Sequence, residues 1–393
     1  MSTVSIWQDT SIWDGRPHRH EEADVCVVGA GIGGSTLASF LTRAGKSVVV
    51  LDARDVALGA SGRNAGFIAT LLEPTYHEQV EQLGADAARE IRDLGIRNRT
   101  IIKQFLDDYG VWYEQHGSMI FAVSEEEQQE FVDEAAALQR DGYAVEFFDH
   151  DPTNHGFFGA MYEPGDLATQ PYWLVTEIMA KSGATVIPNC AVWRLEPVAD
   201  GVIVHGQRAT VRASQVCLCT NAFSQGLHPY FKDLVAPKRA QMLATAPVPR
   251  FLDVPVSAEW GYQYFRQLPD GRFLIGGMRN KFLETEVGYN DVEINPALQT
   301  ELERFVAKHF PELKGVPVER RWSGILGFTP DHLPLVGSLP DMSDVYFAVG
   351  FSGEGMGMGA GTAERAANLM LHGTDPGVVI AGRLTRRATA SAS

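Results

Sequence analysis

Cysteine is scarce in this chain, cations are outnumbered, and no long apolar run occurs. The four cysteines in 393 residues cannot build a disulfide framework, and no C-x-x-C pair starts a zinc site. All four are expected to be buried, reduced thiols. Lys and Arg total 33 against 49 Asp and Glu, a formal net charge of −16. That balance argues against nucleic acid or an anionic membrane surface as the main partner. No apolar stretch approaches the roughly 20 residues of a membrane span. The leading MSTVSIWQDTSIWDGRPHRHEE has no basic segment followed by an apolar one, so no signal peptide is expected, and a cytoplasmic location is the default. His18 and His20 form only an H-x-H, and no metal site is expected.

What is present is glycine, and it is grouped. Residues 25–28 (VCVV) form a short β-branched run stopped by glycine, which predicts a buried parallel strand. A helix follows Gly34 and ends near Arg43 and Gly45, and 47–53 (SVVVLDA) predicts a second strand. Between them, Gly29-Ala-Gly31-Ile-Gly33-Gly34 fits G-x-G-x-x-G in the strand–turn–helix setting of a dinucleotide fingerprint, with Asp52 closing the second strand. Gly29 would permit the turn, Gly31 a close approach of pyrophosphate, and Gly34 tight helix–strand packing. The helix N-terminus would face the phosphates, and Asp52 would accept from ribose hydroxyls while repelling a 2′-phosphate.

Two more glycine-rich loops follow. One is Gly59-Ala-Ser61-Gly62-Arg63-Asn64-Ala65-Gly66, with Ser61 as a donor and Arg63 as a cation for phosphate or flavin oxygens. The other runs from Gly350 to Gly361, and so many glycines there point to a backbone passing close to something flat or anionic. Elsewhere, helices are predicted over 77–109, 125–141, 296–310 and 362–372. Strands are predicted within 184–220 and 240–280, and at 345–349.

ADVCVVGAGIGG, GASGRNAG, CLCTNAFS, DGRFLIGG, RWSGILGFTPDHLPLVG and AVGFSGEGMGMGAG occur in that order. The chain thereby resembles the flavin-dependent amine and D-amino-acid oxidase family, which includes glycine, sarcosine and γ-glutamylputrescine oxidases. The last branch is nearest, through SIWQDT and GRNAG. The resemblance implies an α/β fold, with a discontinuous FAD-binding Rossmann-type domain (1–79, 152–229 and 322–393) and an α+β substrate domain (80–151 and 230–321). It implies one FAD that takes hydride at N5 from the carbon beside an amine nitrogen, leaving an imine that hydrolyses. Cofactor contacts are implied at Gly29, Gly31, Gly33, Gly34, Asp52, Ala53, Arg54, Ser61, Arg63, Asn64 and Ala65. Further along they are implied at Val192, Thr220, Asn221, Gly324, Gly353, Gly355, Met356 and Gly357.

The departures from the family pattern matter as much. Where amino-acid oxidases carry a carboxylate-clamping arginine, this chain has Leu326; where sarcosine oxidases carry a lysine for the same task, it has Gly357. Their flavin-tethering cysteine corresponds to Gly324, and their oxygen-activating lysine to Leu274. Non-covalent FAD is therefore expected, with a substrate other than a simple α-amino acid, and oxygen or another electron acceptor. Tyr262 and Tyr264 could wall the amine site, Glu354 could attract or deprotonate the amine, and Met356 could pack beside the flavin. Arg239 and Arg266 stand as anion clamps, and His116 as a further candidate, each against an ordinary structural role. A D-amino-acid dehydrogenase with a non-standard clamp and a non-catalytic flavin-binding subunit remain the rival readings. The sequence does not set the oligomeric state.

Overall fold

The computed structural model describes residues 18–70, 74–289 and 293–384, so the leading SIWQDT segment lies outside the described residues. Its first sheet runs in the order Val192–Val198, Gly201–Gly206, Ala209–Leu218, Arg19–Val28, Val48–Leu51, Thr185–Ile187. Met342–Val349 joins Ala209–Leu218 and in turn pairs with Leu335–Leu339. Arg19–Val28 is parallel to both Ala209–Leu218 and Val48–Leu51. Val25 to Val28 and Val48 to Leu51 are buried throughout, as strands covered on both faces must be. Their side chains alternate between two cores. Val25, Val27, Val48 and Val50 pack with the helices Ile32–Arg43 and Gly355–His372, whereas Cys26, Val28, Val49 and Leu51 pack with Val202, Val204 and Val211.

The second sheet is mixed and ordered Val318–Phe328, Ala236–Thr245, Phe273–Gly277, Gln263–Gln267, Val256–Ala258, Ser118–Ala122, Gly159–Glu163, Glu146–Phe148. Gly159–Glu163 and Val318–Phe328 both pair here, although most of their residues fall in segments assigned above to the cofactor domain. Phe265, Phe273 and Phe310 form an aromatic core beneath this sheet together with the helix Pro296–His309. Tyr264 and Gly276 point to the other side, toward a cavity.

Several sequence-based bounds shift for physical reasons. The predicted helix over 77–109 is two helices, Tyr76–Leu83 and Ala85–Tyr109, broken at Gly84 with φ +88°. The final helix starts at Gly355, earlier than predicted, so much of the third glycine loop is helical. Glycine disfavours a helix by about 1 kcal/mol relative to alanine, which is why the run reads as loop. Packing overrides that preference. A Cβ at Gly357 would lie 2.6 Å from the Ala69 carbonyl oxygen, at Gly359 2.9 Å from Ile32, and at Gly361 2.9 Å from Leu94. Those glycines answer to neighbouring protein, which corrects the inference that only a ligand could require them. Among the cysteines, Cys26, Cys190 and Cys217 are buried, but Cys219 is only partly so; all four are free thiols.

Candidate active site

The strand Arg19–Val28 and the helix Ile32–Arg43 meet at the first glycine loop. Gly29 has φ +107°, and a Cβ there would lie 2.6 Å from the Cys219 carbonyl oxygen. A Cβ at Gly34 would sit 1.9 Å from the Gly29 carbonyl oxygen, so this position serves packing and cannot carry a side chain. Gly31 is different. Its missing Cβ would meet only Ser61, whose Oγ accepts from the Ile32 N–H at 3.0 Å. The second glycine loop is thereby tied to the first.

Asp52 organises this end. Its Oδ2 accepts from the Ala30 N–H at 2.7 Å and its Oδ1 from the Arg54 N–H at 2.8 Å. Burial raises its pKa above the ordinary 3.8, opposed by those two hydrogen bonds and by Arg54. A cleft of about 540 Å³ opens over the loop. Gly29, Gly31, Gly33, Asp52, Ala53 and Arg54 line its near end. Ser61, Asn64, Val192, Thr220 and Asn221 line its flanks, and Gly353, Gly355 and Met356 its far end. Asn221, at φ +44°, accepts at Oδ1 from the Gly350 N–H at 2.9 Å, joining the CLCTNAFS turn to the start of the final helix.

A second cavity of about 210 Å³ lies against the second sheet. Tyr262, Tyr264, Glu354, Met356 and Gly357 all line it, as do Arg63, Ala65 and Gly324. Ala60, Asn64, Leu326, Gly353 and Met356 line both spaces, so the cleft and the cavity share a wall. Arg63 turns toward backbone, its Nη1 donating to the Ser323 carbonyl at 2.9 Å. The Tyr264 ring occupies the room that a Cβ at Gly276 would need, 2.4 Å away. Burial pushes its phenol up to about 12, with Arg279 opposing that rise and Glu354 adding to it. Glu354 immediately precedes the final helix.

The two anion-clamp candidates line neither space. Arg239 alternates on its strand with the cavity-lining Ala240 and Met242, so it points away, and its Nε donates to Glu286 at 2.8 Å. Arg266 is buried, donating to Glu114 at 2.9 Å and to the Thr169 carbonyl at 3.1 Å. His116 is exposed, with Nδ1 3.2 Å from the Asp253 carbonyl oxygen, and Leu274 lines neither space. His18 lies 2.9 Å from the Thr210 hydroxyl, and among the described residues no group of His, Cys, Asp and Glu is placed to hold a metal. No helix among the described residues is long and apolar enough to cross a membrane. Sequence reasoning missed Arg279, His332 and Phe328, which line the cavity. Phe328 and His332 fall within the RWSGILGFTPDHLPLVG stretch without having been singled out, and no quoted motif contains Arg279, which strand pairing brings to them.

Comparison with known proteins agrees with this geometry. Residues 24–369 match the family described as DAO, FAD dependent oxidoreductase. The chain is 25% identical to the Gamma-glutamylputrescine oxidoreductase of Escherichia coli, over 85% of this chain and 80% of that protein. It is 24% identical to the Probable oxidoreductase OrdL of Haemophilus influenzae, over 90% and 84%. Among solved structures, the L-proline dehydrogenase of P. horikoshii superposes with a TM-score of 0.80 at 22% identity, covering 95% of this chain and 99% of that one. The glycine oxidase of Geobacillus kaustophilus gives 0.76 at 19%, covering 89% and 95%. The α/β fold with several sheets is thus the fold of these proteins. The residues present also fit an FAD. Gly29, Gly31 and Gly33 line the cleft at the helix N-terminus where a pyrophosphate would lie, Asp52 stands where ribose hydroxyls would donate, and the cleft ends at the wall it shares with the cavity.

Proposed function

Because the chain belongs to the DAO family of FAD-dependent oxidoreductases, we propose that it oxidises the C–N bond of a primary or secondary amine, giving an imine that hydrolyses to a carbonyl compound. The observation that carries this reading is the shared wall. Leu326, Gly353 and Met356 border both the dinucleotide cleft and the cavity that holds Tyr262, Tyr264 and Glu354. Bound FAD supplies the hydride acceptor.

The chain's own residues do the rest. Gly29, Gly31 and Asp52 hold the dinucleotide end, and backbone N–H groups at the start of the final helix face the shared wall with the positive end of its dipole. Tyr262, Tyr264 and Met356 form an apolar, water-excluding wall for the substrate carbon. Glu354 attracts the ammonium and takes its proton, freeing the nitrogen lone pair that the oxidised carbon needs. Gly324 offers no thiol for a tether, so FAD is held without a covalent bond, and flavin should stay in the supernatant after acid precipitation. We assign the first sheet to the cofactor and the second to the substrate.

The test is product analysis. FAD-loaded protein incubated with pooled primary and secondary amines and an artificial electron acceptor is expected to yield a carbonyl compound and a released amine or ammonia by mass spectrometry. Recovery of every amine unchanged, or its oxygenation at nitrogen, contradicts the proposal.

A further inference from the structure

Phe328 closes the strand Val318–Phe328 and lines the amine cavity. Basic groups gather around its ring. Lys238 Nζ lies 4.5 Å from the ring centroid, Arg279 Cζ 4.4 Å, and the His332 ring 5.9 Å. Arg279 also lies 5.7 Å from the Tyr262 ring. Among the described residues neither Lys238 nor Arg279 forms an ion pair with a carboxylate. This sets them apart from the buried arginines Arg92, Arg239 and Arg266, paired with Glu163, Glu286 and Glu114. Lys238 and Arg279 are both only partly buried and stand near enough for Arg279 to act on Lys238. Burial, and then Arg279 itself, holds Lys238 below the ordinary lysine pKa, so the two repel each other in a partly desolvated place.

Strand register explains how the pair comes to the site. Lys238 is the cross-strand partner of Leu326, on the strand face that also presents Ala240 and Met242 to the cavity. Leu326 is where the amino-acid oxidases that this chain resembles carry their clamping cation. The positive charge missing at 326 therefore reappears one strand across, at Lys238, and beyond the turn at Met278, at Arg279. Two carboxylates border the same cavity. Glu134 accepts from the Tyr76 and His77 N–H groups, and Glu354 immediately precedes the final helix. Of the two cations Arg279 lines the cavity, with the acid Glu354, while Lys238 reaches the Phe328 ring that forms part of its wall.

We propose that Lys238 and Arg279 form an anion subsite that takes a carboxylate carried by the amine substrate, held by a pair of residues outside the family's usual clamp position. This rests on the amine-oxidoreductase reading above. An arginine stacked on aromatic rings keeps its N–H edge free for a carboxylate's two oxygens, and the neighbouring ammonium adds a point charge. A cavity of about 210 Å³ suits a compact monoanion.

The experiment uses the FAD-loaded protein and non-oxidisable probes: acetate, propionate, butyrate and hexanoate, with butanol and inorganic phosphate as controls. Binding is read by perturbation of the flavin spectrum and by calorimetry. At least one carboxylate is expected to bind, butanol and phosphate far more weakly. Arg279→Gln and Lys238→Gln should each weaken carboxylate binding roughly 10-fold or more. Arg279→Lys should recover part of it, with FAD content and melting temperature held at wild-type values. Carboxylates that do not bind, that bind the two Gln variants as well as wild type, or that are outbound by phosphate overturn the subsite. Bleaching of flavin by an amine in that case leaves the oxidoreductase reading standing, so the two failures are distinguishable.

Discussion

Asn98, from the long helix Ala85–Tyr109, donates from Nδ2 to the carbonyl of Met356 at 2.8 Å. Its Oδ1 accepts from the Ala360 N–H at 2.7 Å and from the Gly361 N–H at 3.2 Å. In an uninterrupted α-helix the Ala360 N–H would go to Met356 directly. A fully buried side chain from another helix is therefore inserted in the ladder of the final helix, one turn past its start. It holds the turn that carries Met356 and Gly357, at the wall between cleft and cavity.

Asn98→Leu leaves the Met356 carbonyl and the Ala360 N–H without a side-chain partner. It should cost about 1–3 kcal/mol per unpaired group by urea denaturation. Asn98→Ala lets the ladder close and should cost less, while still moving Met356 and weakening FAD binding. Equal losses in the two variants would show that the insertion does not organise the turn.

Gly33 and Gly34 are adjacent in sequence but opposite in consequence. An alanine Cβ at 34 meets the Gly29 carbonyl oxygen at 1.9 Å and Cys219 Cβ at 3.3 Å, whereas at 33 it meets only the Phe351 ring at 3.5 Å. Gly34→Ala should lower stability by about 3 kcal/mol or more, through overpacking, and abolish FAD retention. Gly33→Ala should leave the melting temperature of the FAD-free protein near wild type.

If Asp52 holds the ribose as proposed, it should set an acid limit on cofactor retention. Burial raises its pKa, so the folded protein takes up this proton at a higher pH than the unfolded chain does. The FAD-free fold gains stability as pH falls through that raised value and loses it as pH rises through it. A protonated Asp52 accepts poorly from ribose hydroxyls, so FAD affinity should fall on acidification, beginning above the ordinary carboxylate range. Asp52→Asn should bind FAD more weakly at neutral pH and lack that acid dependence in equilibrium titrations.

Tyr264 keeps its proton to about pH 12, while an unfolded tyrosine ionises near pH 10. The folded state then binds the extra proton, so stability should decline between those values. Tyr264→Phe should remove that part of the decline in pH-dependent melting. Between pH 7 and 10 the substitution should not shift any ionisation seen in turnover. A shifted alkaline limb would make Tyr264 a proton acceptor, contrary to its place here as a neutral wall.

How much of this could be read from residues alone depended on how local each constraint is. Gly29, Gly31, Gly34 and Asp52 were legible because a strand, a tight turn and a helix N-terminus impose them within one βαβ unit. The start of the final helix was not, since glycine carries its loop preference in the sequence while the packing that overrides it, against Ala69, Ile32 and Leu94, lies far away in the chain. Arg239 and Arg266 looked free for the same reason; their acids, Glu286 and Glu114, are 47 and 152 positions distant. Arg279 was invisible because Phe328 and Lys238 reach it only through strand register.

The most direct test of the central claim is an anaerobic absorbance titration of purified, FAD-loaded protein with pools of amines and amino acids. The account predicts oxidised-flavin bands that one pool bleaches, with carboxylate-bearing amines more effective than their uncharged analogues. Protein that retains no flavin after reconstitution with FAD, or flavin that no pool bleaches, would contradict it.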